Sequence, residues 1–171
     1  MENNVPEVEV DGLNLDEDTL KDRFLTFKIG SEDYAIPIEY IIEIIGIMKV
    51  TNVPNVKEFI KGIINLRGMI IPVISVRKRF NMPEIAYDER TCIIVIRHNN
   101  VSIGLIVDEV LEVLNIDADH IGPPPQTNKG TKSQFIEGIG KVDKEIKVVL
   151  ALQRFLYDEE ESDIVENNND F

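Results

Sequence analysis

Short runs in which apolar and polar residues alternate recur along most of the chain. Residues 23–30 alternate large apolar side chains with polar ones and end in a glycine, which is typical of a strand that leads into a turn. Similar runs predict a second strand that begins at Tyr34. They also predict strands over residues 59–66, 69–76, 91–97, 101–107, 135–142 and 146–152. Short helical ends are predicted at residues 77–80 and before Tyr157. The pattern as a whole predicts an all-β fold with a few short helices.

The segment 38–45 is compatible with either a helix or a strand. Its isoleucines recur at helical spacing, which favours a helix of about two turns. The short length and the β-branched side chains leave a strand possible. In a helix, Ile44 would lie at the edge of the apolar stripe with Tyr40 opposite, whereas in a strand Ile44 would simply belong to the core.

A unit of about 70 residues occurs twice in the sequence. Residues 38–45 match residues 107–114 at an offset of 69, with apolar residues aligned to apolar ones. Residues 59–63 match residues 135–139 at an offset of 76, and this second register continues without a gap as far as Phe80. Two copies with some five short strands each predict two small barrels. Because each barrel has little core of its own, we expect them to pack together with a groove at the seam.

Glycines occupy two equivalent positions of the repeat. Gly62 and Gly138 both lie inside predicted strands, where glycine indicates a bulge or a close approach of two backbones, as the corner of a barrel requires. Gly68 lies in the predicted turn between two apolar runs. We therefore expect all three glycines to have structural or interface roles.

Arg67 is a charged residue in a strongly apolar hairpin. If its side chain faces inward it must be paired, because an unpaired buried charge is costly, and the carboxylate of Glu43 is the partner we expect. A solvated arginine on a purely structural hairpin is the alternative. Apolar groups exposed beside a fixed charge pair would suit the docking of a partner helix.

The net charge of −13 is concentrated at the two ends of the chain. Residues 1–20 and residues 158–171 hold seven acidic residues each and no Lys or Arg. The intervening residues 21–157 hold 17 acids and all 18 bases. The ends are therefore predicted to be disordered, solubilising tails. A nearly neutral folded part with acidic tails also argues against nucleic acid as a partner.

Residues that commonly perform catalysis or bind metals are sparse. Cys92 lies in an apolar run, where burial disfavours the reactive thiolate, and His98 and His120 lie in turn-like contexts without the spacing of a zinc site. Phosphate-binding and nucleophile motifs are absent from the sequence. We therefore expect no catalytic residues, no metal and no cofactor.

The sequence has neither the features of a signal peptide nor an apolar stretch that approaches the roughly 20 residues of a membrane span. It therefore predicts a cytoplasmic protein that does not insert directly into the membrane.

Several segments together resemble the CheW family of chemotaxis coupling proteins. The most specific is Phe59-Ile-Lys-Gly-Ile-Ile-Asn-Leu-Arg-Gly68, which Ile71-Pro-Val-Ile74 follows closely. The opening Arg23-Phe-Leu-Thr-Phe27, with Tyr34-Ala-Ile-Pro-Ile38 after it, is also similar to that family. Further matches are Ile41-Ile-Glu-Ile44, Gly104-Leu-Ile-Val-Asp-Glu-Val110, Ile121-Gly-Pro-Pro124 and Ile136-Glu-Gly-Ile-Gly140. The resemblance covers residues 23–157 and leaves out the acidic tails.

The resemblance implies two five-stranded SH3-like barrels related by a pseudo-twofold axis. It places interlocked subdomains at roughly residues 23–85 and 86–157, with room for strand exchange between them, and tails at residues 1–22 and 158–171.

The resemblance also implies a non-catalytic adaptor. Such an adaptor binds the cytoplasmic tip of methyl-accepting chemoreceptors and the regulatory domain of the histidine kinase CheA, in rings in which it could also self-associate. The family pattern places a receptor-binding groove at Ile41, Glu43, Ile44 and Arg67, with a salt bridge between Glu43 and Arg67. Kinase contacts are expected on the barrel edges.

Three alternatives remain open at the level of sequence. One is an adaptor with the same barrels that serves another receptor–kinase array, such as one for surface motility. Another is the coupling half of a larger protein that has lost a receiver domain. The third is an enzyme built on a small β-barrel, which only an activity or a bound cofactor would support.

Overall fold

The structure is a computed structural model that describes residues 20–124 and 131–157. The two predicted tails, apart from residues 20–22, and the loop 125–130 lie outside the described residues. No helix within the described ranges is long and apolar enough to cross a membrane.

Strands make up most of the described chain, and the helical segments are short, which confirms the predicted all-β class. The strands are β1 (Arg23–Ile29), β2 (Glu32–Pro37), β3 (Ile41–Gly46), β4 (Ile60–Leu66), β5 (Met69–Ser75), β6 (Cys92–His98), β7 (Val101–Val107), β8 (Glu109–Asn115), β9 (Ile121–Gly122), β10 (Ile136–Val142) and β11 (Glu145–Leu150). The α-helical segments are α1 (Val76–Arg79) and α2 (Leu152–Leu156), and the 3-10 segments are η1 (Ile38–Tyr40), η2 (Ala118–His120) and η3 (Thr131–Phe135).

The strands form two sheets, and each sheet takes strands from both copies of the repeat. The six-stranded sheet has the order β8-β1-β2-β11-β10-β9, and the five-stranded sheet has the order β3-β6-β7-β5-β4. Most neighbours are antiparallel, but β2 pairs with β11 and β5 pairs with β7 in parallel. Strands are therefore exchanged across the predicted boundary near residue 85. The boundary itself stays a prediction.

The repeat seen in the sequence has a strand-for-strand counterpart in the fold. A shift of 69 residues carries Arg23–Ile29 onto Cys92–His98, and a shift of 76 carries Ile60–Leu66 onto Ile136–Val142. The equivalent hairpins even share an irregularity, since the pairing register shifts between Ile60 and Gly62 in one and between Ile136 and Gly138 in the other. The sixth strand of the larger sheet is only the two-residue β9.

The helix considered for residues 38–45 is wrong beyond its first turn. Only η1 is helical, and from Ile41 the chain runs as β3, which pairs antiparallel with β6. The β-branched isoleucines favour this strand, and pairing with β6 satisfies backbone groups that an isolated two-turn helix would leave open.

The largest core cluster is shared by the two sheets. It joins residues of the six-stranded sheet, such as Phe27 and Tyr34, to residues of the five-stranded sheet, such as Ile94 and Leu105. Smaller clusters belong to one sheet each: an aliphatic one in the five-stranded sheet and one around Phe24 in the six-stranded sheet. Because most buried apolar surface is shared, neither half of the chain is expected to fold alone.

Candidate partner-binding surface

The candidate surface lies where β3 approaches the turn of the β4–β5 hairpin. The Arg67 guanidinium donates to Glu43 Oε1 over 2.5 Å, and this ion pair joins β3 to the turn of a hairpin whose strands are not its neighbours in the sheet. Arg67 itself has φ +53°, and Gly68 follows with φ +90°. The Gly68 N–H donates to Asn65 Oδ1 over 2.9 Å, which closes the turn. The hairpin therefore holds the arginine at a defined place.

The Glu43–Arg67 pair is exposed to solvent. The Arg67 side chain is 68% accessible and the Glu43 side chain 30%. The structure thus contains the predicted pair but not the inward-facing arginine considered for it. An exposed pair contributes at most about 1 kcal/mol to folding stability, since water screens its attraction. Its charges are consequently available to a partner at little cost to the fold.

Ile41 and Ile44 on β3 are half-buried and pack against the shared core. The more exposed apolar side chain on β3 is Ile42, at 46%. Met69 and Ile70, just after the hairpin turn, are 50% and 55% exposed. We call Glu43, Arg67 and the exposed residues that flank them in sequence, Ile42, Met69 and Ile70, the β3–hairpin surface.

The three exposed apolar residues were not singled out from the sequence. In a regular strand Ile42 would share a face with the half-buried Ile44. The pairing of β3 with β6, however, shifts register between Ile41 and Glu43, and Ile42 lies at that irregularity. In β4 and in β10 a glycine indicated the equivalent bulges, whereas no glycine lies at the bulge in β3. For Met69 and Ile70, adjacency to the Arg67-Gly68 turn was the available signal.

The three predicted structural glycines differ in their surroundings. Gly62 has φ +150°, and a Cβ there would run into the backbone carbonyl of Thr51. A Cβ at Gly138 would lie 2.7 Å from the carbonyl oxygen of Gly122. Gly68 has open space around it, but its positive φ would strain the backbone of a residue that carries a side chain. Gly62 and Gly138 thus permit close backbone approaches at equivalent corners.

The second repeat carries no copy of the ion pair. The position equivalent to Arg67 is Asp143, which has nearly the same backbone, with φ +58°. The position equivalent to Glu43 is Glu112, so the second repeat holds two acids at these equivalent positions. The Glu43–Arg67 pair of the first repeat therefore has no counterpart at the equivalent positions of the second.

Several other polar groups of the described residues form ion pairs and hydrogen bonds within the fold. Arg77 makes two bonds to the Asp108 carboxylate, which also accepts from the Gly30 N–H. Burial of Asp108 opposes its ionisation, but its bonds to Arg77 and Gly30 outweigh this effect and lower its pKa. The cavity beside this pair measures about 10 Å³, which is room for roughly one water molecule.

The cysteine and the histidines are also far from a catalytic arrangement. Burial raises the pKa of Cys92, whose Sγ donates to the Arg90 carbonyl over 3.3 Å. The His98 ring contacts Tyr40 and Tyr157, and His120 lies in η2. Among the described residues, no group of three or more His, Cys, Asp or Glu side chains could hold a metal ion.

Comparison with known proteins identifies relatives over nearly all of the described chain. Residues 23–160 match the model of the CheW-like domain. The chain is 34% identical over 143 residues to the chemotaxis protein CheW of Klebsiella aerogenes, covering 84% of this chain and 86% of that protein. It is also 34% identical over 125 residues to chemotaxis protein CheW of Bacillus subtilis, covering 73% and 80%.

A solved structure has the same fold. The crystal structure of the scaffolding protein TtCheW from Thermoanaerobacter tengcongensis superimposes with a TM-score of 0.73 at 36% identity, covering 79% of this chain and 92% of that one. At this identity the likeness extends to sequence as well as to fold.

Proposed function

The chain belongs to the family of CheW-like domains, and from this premise we propose that it is a non-catalytic scaffold that couples chemoreceptors to the histidine kinase CheA. The observation that carries its mode of action is the exposed Glu43–Arg67 pair, which β3 and the hairpin turn hold in place and which exposed apolar residues flank in sequence. Signalling through such a protein needs no chemical step. A receptor conformation that binds one conformation of the scaffold or the kinase more tightly increases the population of that conformation.

We propose that the receptor tip docks on the β3–hairpin surface. Apolar side chains flanking a fixed charge pair suit an amphipathic helix, because the apolar residues supply burial and the charges fix its register. Ile41 and Ile44 anchor β3, which carries Glu43, because both pack on the shared core. A rigid support reduces the entropy that docking would otherwise cost.

The kinase regulatory domain is proposed to bind elsewhere, at the outer strands of the sheets. Assembly of receptor, kinase and scaffold into rings, including contacts between copies of this chain, belongs to the same proposal. So do a cytoplasmic location and the subdomain bounds near residues 23–85 and 86–157.

The direct test measures binding of the full-length chain to a receptor-tip fragment and to the CheA regulatory domain, separately. Arg67→Ala should weaken receptor-tip binding at least tenfold and leave kinase-domain binding unchanged. The melting temperature should change by no more than a few degrees, because the Arg67 side chain is largely exposed.

Asp143→Ala is the matched control, since Asp143 occupies the equivalent turn position in the second hairpin with the same backbone conformation. It should leave receptor-tip binding as in the wild type. Unchanged receptor-tip binding in a folded Arg67→Ala protein, or an equal loss in Asp143→Ala, would contradict the assignment of this surface.

A further inference from the structure

A histidine is buried where the related strand carries isoleucine. His98 ends β6, and the shift of 69 residues aligns it with Ile29 at the end of β1, which is buried in the shared core. The His98 residue is only 9% exposed. Its Nδ1 atom is buried and has no hydrogen-bond partner. An ionisable ring thus replaces an aliphatic side chain at a position that does not satisfy its polar atom.

The His98 ring lies between two tyrosines from distant parts of the chain. Its centroid is 5.4 Å from the ring of Tyr40 in η1 and 5.8 Å from the ring of Tyr157, which directly follows α2. Tyr40 and Tyr157 both pack against the shared core. The stack therefore fastens the end of the described chain to the first repeat.

The groups around this stack favour a neutral imidazole. Protonation would add an N–H donor at Nδ1, where no acceptor is within reach, and would place a charge in an apolar site. Burial accordingly lowers the pKa of His98.

Among the described residues, the charged side chains on the elements around the ring are exposed or bind other groups. Glu39 on η1 and Arg97 on β6 are exposed, and Val101, which pairs with His98 on β7, is apolar. The Arg154 guanidinium on α2 donates to the Gln134 and Ile136 carbonyls. Four acidic residues, 158–161, follow Tyr157 in the sequence and lie outside the described residues.

We propose that His98 is a pH-sensitive latch: as a neutral ring it holds Tyr157 and the end of α2 against the first repeat, and its protonation releases them. A buried neutral histidine that binds a proton more weakly in the latched state than in the open one stabilises the latch at and above pH 6.5. That stabilisation is lost as the pH falls from 6.5 towards the lower pKa that His98 has in the latched state.

The test uses amide hydrogen exchange in the full-length chain, corrected for the intrinsic pH dependence of exchange. The Tyr157 N–H donates to the Gln153 carbonyl over 3.0 Å and the Phe155 N–H to the Ala151 carbonyl over 2.8 Å, so both amides report on the latch. Their protection should fall about tenfold for each pH unit within that interval. Amides in β7 should keep their protection, since the release is local.

Variants separate the latch from general acid sensitivity. His98→Phe keeps a ring in the stack and His98→Ile copies Ile29, and both should abolish the pH dependence at Tyr157. His120→Phe changes the other histidine of the chain, which is exposed, and should behave as the wild type. With two histidines in the sequence, nuclear magnetic resonance of their ring signals also follows His98 directly in the wild type.

Three results would overturn the latch. They are a His98 titration midpoint in the wild type at or above 6.5, protection of Tyr157 that does not change between pH 8 and pH 5, and the same pH dependence in a folded His98→Phe or His98→Ile protein. The first two require no variant, so a variant that fails to fold leaves the proposal open to refutation.

Discussion

The β4–β5 and β10–β11 hairpins descend from the same repeat and share their backbone, yet they place charge in opposite ways. The first has an exposed ion pair at its turn and an isoleucine, Ile71, buried further along β5. The second has Asp143 at its turn, and the position equivalent to Ile71 is Lys147, with 3% of its side chain exposed. One copy keeps its charges at the surface, where a partner can meet them, and the other buries a charge in the fold.

The buried charge of the second hairpin is paired. The Lys147 ammonium donates to Asp33 over 2.7 Å and to Glu145 over 3.0 Å, and Asp33 also accepts from Lys28. Asp33 lies in β2, the parallel neighbour of β11, so the pair ties strands from the two copies together. In the other sheet the equivalent of Asp33 is Ser102. The comparison suggests that one hairpin specialised in recognition and the other in joining the two repeats.

The largest effect is expected from breaking the buried pair on one side. Asp33→Ser leaves the Lys147 ammonium buried with only Glu145, which should lower the free energy of unfolding by about 3–5 kcal/mol. Lys147→Ile should cost less, about 1–2 kcal/mol, because Asp33 keeps its bond to Lys28 and is partly exposed. Urea denaturation measures both.

The double variant Asp33→Ser/Lys147→Ile copies the residues of the other sheet and should recover to within about 1 kcal/mol of the wild type. Additive losses in this double-mutant cycle would show that the pair is not coupled and that the difference between the hairpins has another origin.

A smaller difference is expected between the losses of stability caused by alanine at the two equivalent glycines, Gly62 and Gly138. Gly62→Ala combines a positive φ with a collision against the Thr51 backbone, and should destabilise the fold by about 3 kcal/mol. Gly138→Ala meets a close carbonyl without that strained φ, so its loss should be about 1–2 kcal/mol. The same denaturation measurement compares them, and equal losses would mean that φ does not distinguish the two corners.

The smallest effect concerns the folding stability at acidic pH. Burial of Asp33 works against its ionisation, but its bonds to Lys147 and Lys28 more than compensate and lower its pKa below 3.8. A carboxylate with a lowered pKa in the folded state contributes stability above pH 3.8, and this contribution is lost as the pH falls further. Urea midpoints measured from pH 5 to pH 2.5 should therefore fall less steeply in Asp33→Ser/Lys147→Ile than in the wild type. Parallel curves would contradict this role of Asp33.

The sequence predicted the features that local pattern encodes. Alternation located most strands, the repeat indicated two related β-barrels, and the choice of Glu43 for Arg67 agrees with the ion pair in the structure. The spacing of the isoleucines misled for residues 38–45, because the same spacing suits a helix and an irregular strand.

Other features depend on partners that are remote in sequence. Lys147 is buried while its neighbour Ile146 is 56% exposed, the reverse of what their side chains suggest, because the partner Asp33 lies 114 residues away. Strand exchange was likewise left open, since the equivalent strands of the two copies have similar patterns and either could pair within its own half or across it.

The most direct test of the central claim exchanges the two charges of the surface pair. Glu43→Arg/Arg67→Glu keeps an ion pair between β3 and the hairpin turn, so the melting temperature should stay within a few degrees of the wild type. If a partner binds the pair as charges at fixed positions, the full-length exchanged protein should bind the receptor-tip fragment at least tenfold more weakly. Receptor-tip binding equal to that of the wild type in the folded exchanged protein would contradict the account.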